Sequence, residues 1–328
     1  MWPLGAAWLV GVAFGFLVGS SLLFALFVTA SRLWTPGRGW GVGAASIAPV
    51  ALPCYVAMLV AALVLWRRAR IVAVPLLVIG MVGTALHTAW VLPSLVGHDT
   101  NGRVSIRVME ANLRYGMADA AQIARIARDE DVDVVVLTEL TPEELARLDA
   151  AGFTERYPHH AGHARPVRDG TMAFSRYPLR DVRPLDVSRH GIVAEVEAPR
   201  PFTLVAAHAG QPFFAGYGWR ADIATLRTVV SRIRGPRMLV GDLNASMGTR
   251  QLRSLAHADH LEDAARAAGS GWQPTWPGAT GPWLFRLTGG VAAIDHVLVS
   301  SDFDAVSTST YVVGGSDHRA LVARLADR

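Results

Sequence analysis

The chain has 328 residues, 51% of them hydrophobic, and a formal net charge of +4 from 31 basic residues, all arginine, against 27 acidic ones. Every acid lies beyond Gly97, and only five arginines (32, 38, 67, 68 and 70) precede it, so 31 minus 5 leaves 26 arginines against 27 carboxylates in the remainder. That near-neutral part argues against a nuclease, because nucleic-acid binders draw most of their affinity from a basic face. The single cysteine, Cys54, excludes a disulfide framework or thiolate metal site beyond Gly97.

In chain order, three apolar stretches come first: 4–30, 45–66 and 71–96. Each exceeds the roughly 20 residues that cross a hydrocarbon core of about 30 Å. A cleavable signal peptide is disfavoured, since the first stretch lacks a basic leader and two more spans follow. Pro53, Pro75 and Pro93 are compatible with spans whose neighbours satisfy the freed backbone groups. His87, near the end of the third stretch, reads as an interfacial histidine. The Arg67-Arg68-Ala69-Arg70 turn favours the cytoplasm by the positive-inside rule, which places the rest of the chain outside. Arg32, Arg38, Arg103 and Arg107 then fall on the outer side and weigh against that orientation. The expected organisation is therefore an anchor over 1–97, a linker over 98–103 and a second domain over 104–328.

Beyond the linker, short apolar strands alternate with helical stretches. The pattern predicts a strand from Val104 to Ala111, a helix from Ala118 to Asp129, and buried strands from Val134 to Thr138 and Thr171 to Ser175. A strand from Phe202 to Ala207, a helix from Ala221 to Arg234 and a strand from Arg237 to Val240 follow. Ile294 to Ser300 and Ala320 to Leu325 close the series. This is a layered, mixed α/β domain of ordinary size.

Polar residues recur where these strands end: Asn112, Glu139, His208, Asp242 with Asn244, Asp295, and Asp317 with His318. Such placement lines a cleft along one edge of a sheet. Carboxylate and amide oxygens are hard ligands suited to Mg²⁺ or Mn²⁺, and neither cysteine nor an HExxH pattern suggests zinc.

Seven segments in order carry a resemblance. They are Glu110-Ala111-Asn112-Leu113, Leu137-Thr138-Glu139, Gly170 to Pro178, Ala207 to Pro212, Gly241-Asp242-Leu243-Asn244, Ile294-Asp295 and Ser316-Asp317-His318. Together they resemble the endonuclease/exonuclease/phosphatase superfamily, the DNase I-like group that includes nucleases, inositol polyphosphate phosphatases and neutral sphingomyelinases. The resemblance implies a four-layer α/β sandwich, two mixed sheets flanked by helices. It makes Glu139 the principal metal ligand, with Asn112 and Asp317 supporting metal or phosphate. Asp242 takes the proton from the attacking water, and Asn244 orients that water or a phosphate oxygen. His318 contacts the scissile phosphate and is held by Asp295, while His208 is a phosphate contact or acid whose carboxylate partner cannot be placed. His296, beside Asp295 on a strand, points to the other face and reads as structural. Arg176 reads as a scaffold ion pair; Arg114 and Arg168 stay open between anion binding and a solvated face.

Aromatic residues cluster in two loop regions, Phe213, Phe214, Tyr217 and Trp219, then Trp272, Trp276, Trp283 and Phe285. They suit either a membrane interface or the rim of a cleft. A three-span anchor before such a domain also resembles actinobacterial membrane proteins of this superfamily associated with teicoplanin resistance. That resemblance implies an extracytoplasmic phosphatase of a lipid-linked phosphate, such as a cell-wall prenyl pyrophosphate. A surface nuclease or nucleotide phosphodiesterase is the alternative. A non-catalytic binding module is disfavoured because no catalytic position has been replaced, and no segment points to an obligate protein partner.

Overall fold

The computed structural model describes residues 4–34, 39–97, 102–213, 218–281, 283 and 289–328. Linker residues 98–101, together with Arg38, Phe214, Tyr217 and Phe285, lie outside the described residues. The N-terminal part forms α1 (Leu4–Trp34), α2 (Trp40–Ser46), α3 (Ala51–Leu65), α4 (Arg70–Val91) and the short α5 (Pro93–Val96). Three helical segments, Trp8–Trp34, Ala48–Leu65 and Arg70–Val91, are long and apolar enough to cross a membrane. They are apolar all round, with Phe16, Leu17, Leu23 and Ile71 outward, as a lipid-facing surface requires. The third ends at Val91, short of the expected Val96, because Pro93 cannot continue the backbone ladder and instead opens α5.

Close packing of the spans rests on small residues. A Cβ at Gly83 would overlap the Tyr55 ring, and one at Gly80 the Leu59 side chain. His87, expected near the interface, lies near the ends of the spans and is enclosed by the helices. Its Nε2 lies 2.9 Å from Thr29 Oγ1 and its Nδ1 donor–acceptor partner is the Ala48 carbonyl at 3.0 Å. Both ring nitrogens are thus satisfied inside the bundle, which removes the reason for the ring to seek water.

The second part runs β1 (Ile106–Asn112), α6 (Ala120–Asp129), β2 (Val134–Thr138), α7 (Pro142–Ala150), α8 (Phe153–Arg156), β3 (His159–His163), β4 (Thr171–Ser175), β5 (Leu179–Leu185) and β6 (Gly191–Val196). It continues through β7 (Phe202–His208), α9 (Trp219–Arg232), β8 (Arg237–Asp242), α10 (Arg250–Ala258), β9 (Leu261–Asp263), α11 (Ala264–Ala267), β10 (Asp295–Ser300), β11 (Phe303–Val312) and β12 (Arg319–Asp327). Two six-stranded mixed sheets result, ordered β11-β12-β1-β2-β4-β3 and β5-β6-β7-β8-β10-β9.

The central strands are buried on both faces, which explains their unbroken apolar runs. In β2, Val134 and Val136 enter the core between the sheets, while Val135 and Leu137 pack beneath α6, α7 and α8. On the other side, α9 and α10 cover the second sheet through Ile223, Leu226, Leu252 and Leu255. The result is the expected sandwich of helices, sheet, sheet and helices. Asp119 caps α6 by accepting from the Gln122 N–H at 3.0 Å, which sets where that helix begins.

The boundary between the two parts is less clean than the charge pattern suggests. Val42 of α2, between the first two spans, is fully buried in the core beneath the second sheet, where an aliphatic side chain is worth roughly 1.5–3 kcal/mol. The Ser246 N–H donates to Ser46 Oγ at 3.1 Å, and the Gly39 N–H donates to the Pro212 carbonyl at 2.7 Å. The connector between the spans is therefore part of the second domain's packing.

Candidate active site

Each sheet contains one parallel pair, β1 with β2 and β7 with β8, and the C-terminal ends of both pairs meet at the same edge of the sandwich. Asn112 stands opposite Thr138, one residue before Glu139, and His208 stands opposite Asp242. Asp295 opens β10 directly opposite Asp242, and His318 immediately precedes β12. Six sequence positions far apart in the chain are thereby brought to one place by strand register alone.

Asp242 is the hub. Its Oδ2 accepts from Asn112 Nδ2 at 2.9 Å, so one hydrogen bond ties the two sheets together, and its Oδ1 accepts from the Asn244 N–H at 2.8 Å. Asn244 Nδ2 donates to the Ala209 carbonyl at 2.9 Å. Burial and then the neighbouring Asp295 charge raise the Asp242 carboxyl to about 7. A carboxylate poised there is suited to accept a proton near neutrality.

His318 Nδ1 lies 2.9 and 3.1 Å from the two oxygens of Asp295, and its Nε2 sits 3.9 Å from Asp242 Oδ2. Burial alone would lower this imidazole, but Asp295 and Asp242 outweigh it and raise it to about 10. The same partnership holds Asp295 below its ordinary value against the upward pull of burial. The pair is thus an imidazolium and a carboxylate, with Nε2–H directed into the site. The Thr275 hydroxyl accepts from the Asp295 N–H at 3.2 Å and fixes the start of the strand.

His208 differs from His318. It is fully buried, its Nε2 is 3.5 Å from Asp242 Oδ2, and its Nδ1 has no partner among the described residues. Burial, reinforced by the Arg189 guanidinium, lowers it to about 3. Among the described residues no carboxylate holds Nδ1, so burial favours the neutral imidazole and, of its two expected roles, the phosphate contact over the acid. It keeps the capacity for a neutral hydrogen bond.

Glu139 sits at φ 53°, a left-handed conformation that is uncommon outside glycine and asparagine. The Tyr115 N–H donates to Glu139 Oε2 at 2.9 Å, and the Leu140 N–H donates to the Gly170 carbonyl, which together hold the turn. Burial raises the Glu139 carboxyl, an effect the Tyr115 hydrogen bond partly offsets. Asp317 is more open, its carboxylate 3.8 Å from Arg114 Nε at the rim. Arg168 lies 5.0 Å over the Tyr115 ring, and Arg176 pairs with Asp131 and Asp133 away from the site.

Two further groups carry little sequence signal. Glu110, two residues before Asn112 and on the same face of β1, is wholly buried beside Asp295 and Asp242. Burial and then those two charges raise it well above the ordinary carboxyl range. Asp222 of α9 accepts from the Gly210 and Ser188 N–H groups at 2.7 and 2.9 Å and fixes the loop that follows His208. Trp219, read as either an interface or a rim ring, is instead buried in α9, its Nε1 donating to the Leu243 carbonyl at 3.0 Å. Trp276 and Trp283 are exposed, and Phe213 packs edge-on against Trp40 at 5.4 Å.

The donor set fits a divalent cation. Asp242, Asp295 and His318 bring ligand atoms within 4.8 Å of one another. His318 as an imidazolium offers no lone pair, however, so the oxygen atoms of Glu139, Asn112 and Asp317 are the better chemical match to a hard ion.

Two mixed sheets whose parallel pairs deliver carboxylates, carboxamides and imidazoles to one edge define a metal-assisted phosphoester hydrolase of the DNase I-like class. The chain belongs to the Endonuclease/Exonuclease/phosphatase family, which it matches over residues 109–318. It is similar to an endonuclease/exonuclease/phosphatase from Beutenbergia cavernae, with 25% identity over 69% of this chain and 72% of that one and a TM-score of 0.52. A 3′ phosphatase from Neisseria bound to product DNA hairpin shares the fold at 19% identity, 68% and 100% coverage and a TM-score of 0.53. So does sphingomyelinase C from Streptomyces griseocarneus, at 17% identity, 68% and 99% coverage and a TM-score of 0.50. No curated protein matches the chain.

Proposed function

We propose that this protein is a membrane-anchored, extracytoplasmic, Mg²⁺- or Mn²⁺-dependent hydrolase of a lipid-linked phosphate or pyrophosphate. The observation that carries this reading is the route of the loops beyond the active-site strands. Ser246, two residues after Asn244 and so within about 7 Å of chain, bonds to Ser46 at the start of the second span. Pro212, four residues after His208, bonds to Gly39 just beyond the first span. A bilayer-borne phosphate is thereby within reach of the site. The resemblance to teicoplanin-resistance membrane proteins agrees with such a substrate. The Arg67–Arg70 turn lies at the opposite ends of the spans and favours the cytoplasm.

In this reading Glu139 and Asn112 would hold the cation, with Asp317 supporting it from the rim, and such an ion would supply positive charge beside the phosphoryl oxygens. Asp242 accepts the proton of the attacking water, whose position Asn244 sets. The His318 imidazolium donates a hydrogen bond to a phosphoryl oxygen as charge develops there, and Asp295 keeps that ring oriented and protonated. Neutral His208 hydrogen-bonds a second phosphoryl oxygen.

The test is phosphate release by the full chain in detergent from prenyl pyrophosphate, phosphoinositide, sphingomyelin and DNA. Release from the prenyl pyrophosphate is expected. Turnover confined to DNA would overturn the substrate class.

A further inference from the structure

Where the ends of the spans meet the second domain, a cavity of about 110 Å³ opens on the face of β10 that carries His296, away from His318. Arg32, Trp90, Ser246, Arg266, Trp272 and His296 are among its lining. The volume is several times the roughly 10–15 Å³ that one water needs, so it accommodates a phosphate group. None of Asn112, Glu139, His208, Asp242, Asn244, Asp295, Asp317 or His318 lines it.

Arg32 and Arg266 line it, and the Arg253 guanidinium, which lines the neighbouring groove, lies beside them. Arg32, near the end of the first span, stacks 4.4 Å over the Trp90 ring, near the end of the third, and its Nη1 donates to the Met247 carbonyl at 3.4 Å. Arg253 donates to the carbonyls of Met247 and Arg32 at 3.0 and 3.1 Å. The Arg266 side chain is exposed and has no partner among the described residues. None of the three meets a carboxylate within ion-pair distance among those residues, and they lie close enough to repel one another. The nearest acid lining the cavity, Asp263, is already engaged by His296 at 2.6 Å. That neighbouring groove, of about 320 Å³, shares Arg266 and is also lined by Arg253 and Arg328. Uncompensated cations beside a tryptophan at the span ends match the phosphate of a membrane lipid.

We infer that this junction binds the headgroup phosphate of an anionic membrane lipid, with Arg32, Arg253 and Arg266 as its cationic contacts. The site is separate from the catalytic edge and holds the domain against the leaflet it faces. It does not depend on which substrate the enzyme hydrolyses.

The full chain, purified in neutral detergent, is titrated with phosphatidylglycerol, phosphatidylcholine and inorganic phosphate, and retained lipid is counted by native mass spectrometry. Wild type should retain phosphatidylglycerol over phosphatidylcholine, and inorganic phosphate should not displace it. Arg266→Gln, which removes no internal contact, should weaken retention by on the order of fivefold. Hydrolysis of a soluble phosphate ester by this variant should match wild type. Arg253→Gln should weaken retention further, provided its melting temperature matches wild type, since Arg253 also holds loop carbonyls. Equal retention of both lipids, unchanged retention in Arg266→Gln, or displacement by inorganic phosphate at equal concentration would overturn the inference.

Discussion

Two histidines stand on either side of the same corner of the second sheet, and each is paired with an aspartate. His318 meets Asp295 at 2.9 Å and His296 meets Asp263 at 2.6 Å. Both rings are buried, and in both the carboxylate outweighs burial and raises the imidazole. Charge therefore does not tell them apart. The second nitrogen does. His296 Nε2 is satisfied by the Ala245 carbonyl at 2.9 Å, whereas His318 Nε2 makes no hydrogen bond among the described residues and lies 3.9 Å from Asp242 Oδ2. One pair is closed and holds β9, β10 and the loop after β8 together; the other keeps a donor directed into the candidate site.

The largest effect expected is from metal removal. Chelation should abolish phosphate release in both wild type and His296→Ala, and Mg²⁺ or Mn²⁺ should restore both. Restoration by Zn²⁺ alone would contradict the oxygen-donor site.

Next is Asp242→Asn, which keeps shape but removes the base and should lower kcat by on the order of a hundredfold or more. The pH profile sharpens the same point. Asp242 acts deprotonated and is raised to about 7, so the rate should rise with pH on an acid limb at or below 7, since a bound cation favours the anion. His318 acts protonated and is raised to about 10, so the rate should fall near 10. A rate still climbing beyond that limb would break the assignment of His318.

The closed pair should show itself in stability instead. The folded value of His296 is raised above that of the unfolded chain, about 6.5. Its contribution is thus complete below that pH and is lost as pH rises through the folded value. His296→Ala, which leaves buried Asp263 with only the Ala265 and Arg266 N–H groups as donors, should destabilise by about 3 kcal/mol in the acid range and by less in alkali. Thermal melts at the two extremes measure this, and equal losses would contradict it. Smallest is Val42→Ala, expected to cost about 1–2 kcal/mol through the domain core while leaving kcat unchanged. A drop in kcat without a shift in melting temperature would place α2 in the chemistry.

How much of this was legible follows the sheets' own geometry. Val134–Thr138 and Thr171–Ser175 match their strands because central positions are covered on both faces and must be apolar throughout. The hydropathy pattern does not reveal β3, β5, β9 or β11, and these are the four edge strands of the two sheets. An edge strand is half covered and tolerates the charge seen in β5, where Arg180, Asp181 and Arg183 are outward. β6 is central, yet Gly191 and Glu195 interrupt its short run and weaken the signal.

In the site, residues that end strands were readable because a polar side chain after an apolar run is conspicuous. Glu110 was not, because it lies inside β1, and only its two-residue offset from Asn112 places it on the same face. The state of His208 was likewise hidden, since it depends on Arg189 and on a missing carboxylate, which only the folded packing decides.

The pairing of His318 with Asp295, set against the closed pair of His296, is tested most directly by kcat for four variants on one lipid phosphate substrate: His318→Ala, Asp295→Asn, their double mutant and His296→Ala. Because Asp295 acts through the ring, the double mutant should be little worse than His318→Ala alone, each lowered by on the order of a hundredfold, while His296→Ala keeps most of its activity. A double mutant that loses the product of two large independent factors, or a His296→Ala as impaired as His318→Ala, would contradict it.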